Sequence, residues 1–219
     1  MIVVLAQTKG GVGKTTLAVN LAIERTLRGR RDVLLVDADE QGTAADFSAL
    51  RVETRGATGY TAVQLTGAAV RSQVLAMRGK YDDVVIDAGG RDTTGLRAAL
   101  TIADVAVVPF QPRSFDVWTL GKVGQLLADA RVINPNLRAY AIINCADPQG
   151  EDNRSAAEAL TEHPEIEFMR ASIGRRKAFP NAAAAGLSVL EAPHPDSKAC
   201  NELKILADRL FAQVEAEAE

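Results

Sequence analysis

The sequence predicts an α/β fold, a doubly wound and mostly parallel sheet flanked by helices. Three observations carry this. Short, wholly apolar runs alternate with amphipathic stretches, as buried parallel strands alternate with the helices that cover them. Several of those runs end in an acidic or amide residue, which places polar groups at the carboxyl edge of a sheet. The first run, Ile2-Val3-Val4-Leu5-Ala6, enters a glycine-rich loop, Thr8-Lys9-Gly10-Gly11-Val12-Gly13-Lys14-Thr15-Thr16, and an amphipathic stretch begins near Leu17.

Strand, glycine loop, helix is the context in which such a loop grips phosphate. Gly10, Gly11 and Gly13 let backbone N–H groups turn inward around an anion without Cβ clashes. The open N–H groups and positive dipole end of the next helix point to the same place, which adds Val12 and Thr16 to the phosphate-binding set. Lys14 supplies a mobile charge for the β- and γ-phosphate oxygens, and Thr15 a hydroxyl for Mg²⁺. Thr8 stands where the ordinary G-x-x-x-x-G-K-[ST] loop has its first glycine, and a second lysine, Lys9, opens the loop. In this it resembles the deviant Walker A loop, K-G-G-x-G-K-[ST]-[ST], of the ParA/MinD superfamily of partition and positioning ATPases.

Leu17 to Leu27 reads as the first helix, ended in the Gly29 region. Asp32-Val33-Leu34-Leu35-Val36-Asp37 reads as a strand buried on both faces and ending in acid. At its exit Asp37 and Asp39 either face a Mg²⁺–phosphate site together or act as acidic caps for a helix starting near Thr43. Asp37-Ala38-Asp39-Glu40-Gln41 resembles the switch I stretch D-x-D-x-Q of ParA-type ATPases, with Glu40 where many members carry proline. That resemblance implies that Asp39 orients or deprotonates the attacking water and that Asp37 supports the metal's water shell.

Residues 51–59, polar with Gly56 and Gly59, read as a loop. Tyr60 to Leu65 alternates like an edge strand, and a helix is expected from Ala68 to Met77, closed by Gly79. Tyr81-Asp82-Asp83-Val84-Val85-Ile86-Asp87 has the Walker B pattern, a carboxylate at a strand tip beside the metal, although an acidic cap on a buried strand has the same form. Gly89 and Gly90 leave N–H groups for a γ-phosphate and resemble the ParA-family switch II, where proline is more usual. Arg91 and Asp92 read equally as a local ion pair and receive no chemical role.

Leu96 to Ile102 reads as helix and Val105 to Pro109 as the next buried strand. Ser114 is the expected cap of a helix reaching Val132, with Phe115 and Trp118 as packing residues. The strand Ala139 to Asn144 ends in an amide. By resemblance Asn144 or nearby backbone touches the adenine; as a residue it is equally a satisfied strand-end amide. Asn153 to Leu160 reads as helix, Ile166 to Ile173 contains a strand, and Asn181 to Ala185 is a small alanine-rich helix. Before it stand Arg175, Arg176 and Lys177, a basic run that alone reads as a solvated helix start. The order of basic segment, small helix and G-x-S-V-x-E resembles the C-terminal part of small ParA proteins, which implies that these three contact DNA phosphates without reading bases. The last helix, Asp196 to Val214, carries Leu203, Leu206, Leu210 and Phe211 at core spacing.

Composition narrows the functions. The chain has 219 residues, 47% hydrophobic, enough to bury a sizeable core, and no repeat or linker divides it, so one domain over 1–219 is expected. No apolar run approaches the roughly 20 residues of a membrane span, and the first strand leaves no room for a signal peptide. Cys145 and Cys200 lack C-x-x-C spacing and His163 and His194 are far apart, pointing to reduced thiols in the cytoplasm and no thiol or histidine metal site. Net charge is −3, so nucleic-acid binding has to come from a local patch.

Taken over the whole chain, the ParA resemblance implies an ATP- and Mg²⁺-dependent homodimer in which Lys9 of each subunit reaches the phosphates held by the other. It implies nonspecific DNA binding, nucleoid association, and hydrolysis stimulated by a ParB-like or small centromere-binding adaptor, moving plasmid or chromosomal DNA. The same residues suit positioning of a protein cargo on the nucleoid. A MinD-like membrane cycle needs a basic amphipathic C-terminal helix, whereas this chain ends Glu215-Ala216-Glu217-Ala218-Glu219. Iron proteins of the nitrogenase type need paired cluster cysteines, bacterial tyrosine kinases a tyrosine-rich tail, and a dethiobiotin-synthetase-like ligase has no need of Lys9.

Overall fold

In the computed structural model, which describes residues 1–29, 31–91, 93–112, 119–147 and 151–215, the chain alternates strand and helix. The elements are β1 (Ile2–Leu5), α1 (Lys14–Gly29), β2 (Val33–Ala38), α2 (Thr43–Arg55), β3 (Thr61–Gln64), α3 (Ala69–Met77) with a 3-10 turn (Arg78–Lys80), β4 (Asp83–Ala88), α4 (Thr94–Leu100), β5 (Val105–Phe110), α5 (Leu120–Arg131), β6 (Arg138–Ala146), α6 (Glu151–Ala159) with a 3-10 turn (Leu160–Glu162), β7 (Glu167–Gly174), α7 (Ala178–Ala184) and α8 (Ser197–Glu215). Ser114, Phe115, Trp118, Asp92 and the last four residues of the acidic tail lie outside the described residues.

The strands form one sheet in the order β3-β2-β4-β1-β5-β6-β7. Every pairing is parallel, so the expected mostly parallel sheet is wholly parallel among the described residues. β1 sits between β4 and β5, and the chain leaves it toward β2 on one side and later returns to β5 on the other. That reversal opens a crevice above the carboxyl end of β1, where the glycine loop begins.

The strands of the middle are apolar on both faces because both faces are covered. Val4, Val36, Ile86 and Val108 point into a core shared with Val70, Leu96, Leu100 and Leu127 of α3, α4 and α5. Val3, Leu5, Leu35, Val85 and Val107 point into the opposite core, shared with Leu17, Leu21, Phe47, Leu203, Leu206 and Leu210 of α1, α2 and α8. Each such fully buried side chain stabilises the fold by about 1.5–3 kcal/mol relative to exposure. β3 is at the edge, as expected, but is mostly exposed and does not show the alternating burial that its sequence pattern suggests.

Two local departures have physical causes. Residues 51–55 belong to α2 and not to a loop; the helix ends at Gly56, whose φ of 79° is left-handed and whose N–H bonds to Val52 O at 2.8 Å. Arg51, polar in the sequence, is buried there by partners far along the chain: its guanidinium forks onto Glu191 and also meets the carbonyls of Thr58 and Gly186. Helix α4 begins with Thr93 as cap, its hydroxyl accepting from Leu96 N at 3.1 Å.

Candidate functional site: a phosphate loop above paired carboxylates

The loop between β1 and α1 turns on two left-handed glycines, Gly11 (φ 75°) and Gly13 (φ 91°), conformations that residues with a Cβ rarely adopt. Lys14 begins α1, is 7% exposed, and its Nζ donates to Lys9 O at 3.2 Å, so the lysine lies back across the loop. Burial pulls its pKa below the usual range, opposed by the charges of Asp87 and Asp39.

Those carboxylates arrive on neighbouring strands. Asp37 of β2 and Asp87 of β4 are register partners, and Leu5, the last residue of β1, pairs with Asp87 on the other side. Asp37 is a fixture of the segment that follows it: Oδ1 accepts Asp39 N at 3.0 Å and Oδ2 accepts Ala45 N at 2.9 Å, which also caps the first turn of α2. Burial pushes its pKa up against those bonds. Asp39 is partly buried and its carboxylate accepts Gln41 N at 3.1 Å, closing a tight turn.

Asp87 differs. It is 1% exposed, and neither carboxylate oxygen has a hydrogen-bond partner among the described residues. Burial pushes its pKa up to about 7; the Thr15 hydroxyl, close by but short of normal hydrogen-bond geometry, eases the shift, while Asp37 adds to it and Lys14 opposes it. A buried carboxylate without a partner, beside a threonine hydroxyl and a second acid, fits a divalent cation. Among the described residues no group of three His, Cys, Asp or Glu could hold a metal alone. Mg²⁺ suits this, since it is usually bound by one or two carboxylates together with substrate phosphates.

The segment after β4 closes on the loop. A Cβ on Gly90 would lie 3.0 Å from Gly10 Cα and 3.4 Å from Lys14 Nζ, and one on Gly89 would lie 3.4 Å from Asp39 Cγ. Lys9, Gly10, Gly11, Val12, Gly13, Lys14, Thr15, Thr16, Asp37, Asp39 and Asp87 are thus brought to one end of the sheet.

Asn144 is also brought there, but beneath the loop: it is 5% exposed and its Nδ2 donates to Val12 O at 2.6 Å. Arg175, Arg176 and Lys177 lie apart, between β7 and α7. Arg175 and Lys177 are exposed. Arg176 is taken by Glu202 of α8, its Nε at 2.9 Å and Nη2 at 2.5 Å from the two carboxylate oxygens, and Glu202 also accepts Gly174 N at 3.0 Å.

Sequence reasoning missed several supporting groups. Gln7, fully buried, accepts Thr8 N at 2.8 Å, and Gln111 Nε2 donates to Gly11 O at 3.0 Å. Both follow strand ends, the signal that singled out Asn144. Asn20, inside α1, donates to Thr16 O at 2.7 Å and accepts from Ser188 Oγ (2.8 Å) and Val189 N (3.1 Å), tying G-x-S-V to the loop helix; nothing local in the sequence marks it.

Comparison with known proteins places the chain in a family and supports its fold. The chain is 28% identical over 211 residues to the maintenance of carboxysome distribution protein A of Halothiobacillus neapolitanus, covering 94% of each chain. It is 28% identical over 250 residues to the chromosome-partitioning ATPase Soj of Thermus thermophilus, covering 97% of this chain and 96% of that one. The structure of apo McdA from Cyanothece superposes with a TM-score of 0.78 at 18% identity, covering 95% of this chain and 98% of that one. Proteins of the ParA/MinD group are ATPases, and ATP-bound members are known. Residues 3–189 match the model of the CobQ/CobB/MinD/ParA nucleotide binding domain, and the chain belongs to that family.

Proposed function

We propose that this chain is a partition-type ATPase that binds and hydrolyses MgATP, pairs with a second copy when ATP is bound, and holds DNA nonspecifically in that state. The observation that carries the reading is the lysine-opened loop above Asp37 and Asp87 in register, with the unpartnered Asp87 carboxylate beside Thr15. Thr15, Asp37 and Asp87 are the residues that would hold Mg²⁺, which when bound neutralises charge on the phosphate oxygens. Lys14 and the loop N–H groups take the phosphates, and Asp39 orients the attacking water. Lys9 neutralises, from the partner copy, charge that develops in transfer. A ParB-like or other centromere-binding adaptor would stimulate turnover and release the DNA.

Protein cargo is the second reading. The carboxysome-distribution relative, matched over 94% of both chains, favours it as specifically as Soj favours DNA segregation. Both share the cycle and differ in the adaptor.

The test is retention of arbitrary duplex DNA with ADP, ATP and a slowly hydrolysed analogue across a salt series. ATP-dependent, salt-sensitive retention supports the cycle; retention indifferent to nucleotide, or none, rejects it. Co-purification of the ATP-locked chain with either a DNA-binding adaptor or a cargo-shell adaptor separates the two readings.

A further inference from the structure

The carbonyls of the phosphate loop have partners that the loop sequence does not contain. Gly11 and Gly13 are left-handed on either side of Val12. That alternation turns successive N–H groups toward one point, forming a nest for an anion, and turns carbonyls outward. Val12 is buried, so its outward carbonyl needs a protein donor, while Gly11 is exposed and a donor there adds order to the loop's outer edge. Asn144 Nδ2 meets Val12 O at 2.6 Å from the end of β6, and Gln111 Nε2 meets Gly11 O at 3.0 Å from just beyond β5. The fit at Asn144 is close: a Cβ on Gly13 would collide with Nδ2. β6 becomes irregular at this point, its register shifting between Asn144 and Ala146 with Cys145 left-handed at φ 54°.

We infer that Asn144 and Gln111 are positioning residues that hold the phosphate loop in its anion-receiving shape by taking the outward carbonyls of Val12 and Gly11. This rests on the nucleotide-site reading and deepens it. Asn144 acts on the triphosphate end through the loop, so its contribution does not depend on the base. Two amides, one in β6 and one just past β5, fix two consecutive carbonyls, and with them the peptide planes that carry the N–H groups of Val12 and Gly13, which need not reorganise when an anion arrives.

The test compares the parent chain with Asn144→Asp, which keeps the shape but replaces the donor and adds a charge, with Gln111→Glu, which does the same at the second amide, and with Gln111→Ala, which removes a donor without adding charge. The probes are MgATP, MgGTP and base-free inorganic tripolyphosphate with Mg²⁺. Asn144→Asp is expected to weaken ATP and tripolyphosphate by the same factor, about 10-fold or more, with the ATP-over-GTP preference unchanged. Both Gln111 variants should weaken the two probes equally, by about 3- to 10-fold. Parental tripolyphosphate affinity in Asn144→Asp overturns the assignment, as does a loss confined to ATP with the base preference erased. If Asn144→Asp does not fold, parental tripolyphosphate affinity in both Gln111 variants overturns it. A parent chain that takes up none of the three probes overturns the nucleotide site itself, and this assignment with it.

Discussion

Asp37 and Asp87 stand side by side at the carboxyl ends of β2 and β4, register partners in a parallel ladder. They are not equivalent. Asp37 is consumed by the backbone of its own following turn and of α2, whereas Asp87 has two buried oxygens without a partner among the described residues. One acid builds the segment that carries Asp39; the other is committed to no backbone group.

Asp87→Asn should therefore stabilise the nucleotide-free protein while damaging its function. The amide is left as unpartnered as the carboxylate was, so the gain comes from removing a buried charge beside another acid and is expected to be on the order of 1 kcal/mol. Chemical denaturation without nucleotide reads the gain, and titration of Mg²⁺ into a nucleotide-binding assay should show that the variant has lost most of its magnesium dependence. A destabilised variant that keeps full magnesium dependence would contradict the assignment.

Gly90→Ala tests the contact between the segment after β4 and the loop. The added methyl would press on Gly10 backbone atoms at 3.0 and 3.1 Å, closer than side-chain contacts comfortably reach. We expect nucleotide to bind within about threefold of the parent while turnover falls at least 10-fold, about 1.4 kcal/mol in the barrier. Unaltered turnover would mean that this approach has no part in the reaction.

Arg51 and Glu191 lock α2 to the G-x-S-V-x-E segment through a forked ion pair at 2.7 and 2.8 Å, with both side chains nearly buried. Burial alone would raise the Glu191 pKa; the Arg51 hydrogen bonds, the Ser188 N–H and the charges of Arg51 and Arg55 outweigh it and hold the carboxyl below its ordinary value. A carboxyl lowered in this way contributes stability in full above its unfolded pKa of about 4.3. The contribution is lost as pH falls through the lower folded value. Melting temperatures between pH 7 and 3 should fall more steeply for the parent than for Glu191→Gln. Arg51→Met, which strands the carboxylate, should cost about 3–5 kcal/mol at pH 7.

The three cations before α7 should behave differently from one another. Arg176 is spent on Glu202, so Arg176→Ala should lower the melting temperature and leave the salt dependence of DNA retention unchanged. Exposed Arg175 and Lys177 are free of that constraint; alanine at either should reduce the log–log salt slope by about 1. Equal slopes in all three variants would move the DNA surface elsewhere.

Much of this was legible in the sequence because it is local. Apolar runs such as Val84-Val85-Ile86 name buried strands wherever they fall, and a glycine loop between strand and helix names its own geometry. Asp37 and Asp87 could each be placed at a strand tip, but their juxtaposition depends on β2 and β4 being neighbours, which only the strand order decides. Arg51 reads as a solvated loop residue until Glu191, 140 positions away, buries it. Asn144 and Arg176 show the same limit in reverse. Their chemistry suggests ligands, and each also has a protein partner, Val12 for Asn144 and Glu202 for Arg176, that no window of sequence contains.

The most direct test of the central claim, that a triphosphate held at the loop pairs two copies, is light scattering during a MgATP titration. The account predicts that a slowly hydrolysed ATP analogue doubles the molecular mass of the parent, that ADP does not, and that Lys9→Ala fails to double with either. A mass that stays at one subunit under every nucleotide, or doubles without one, would contradict it.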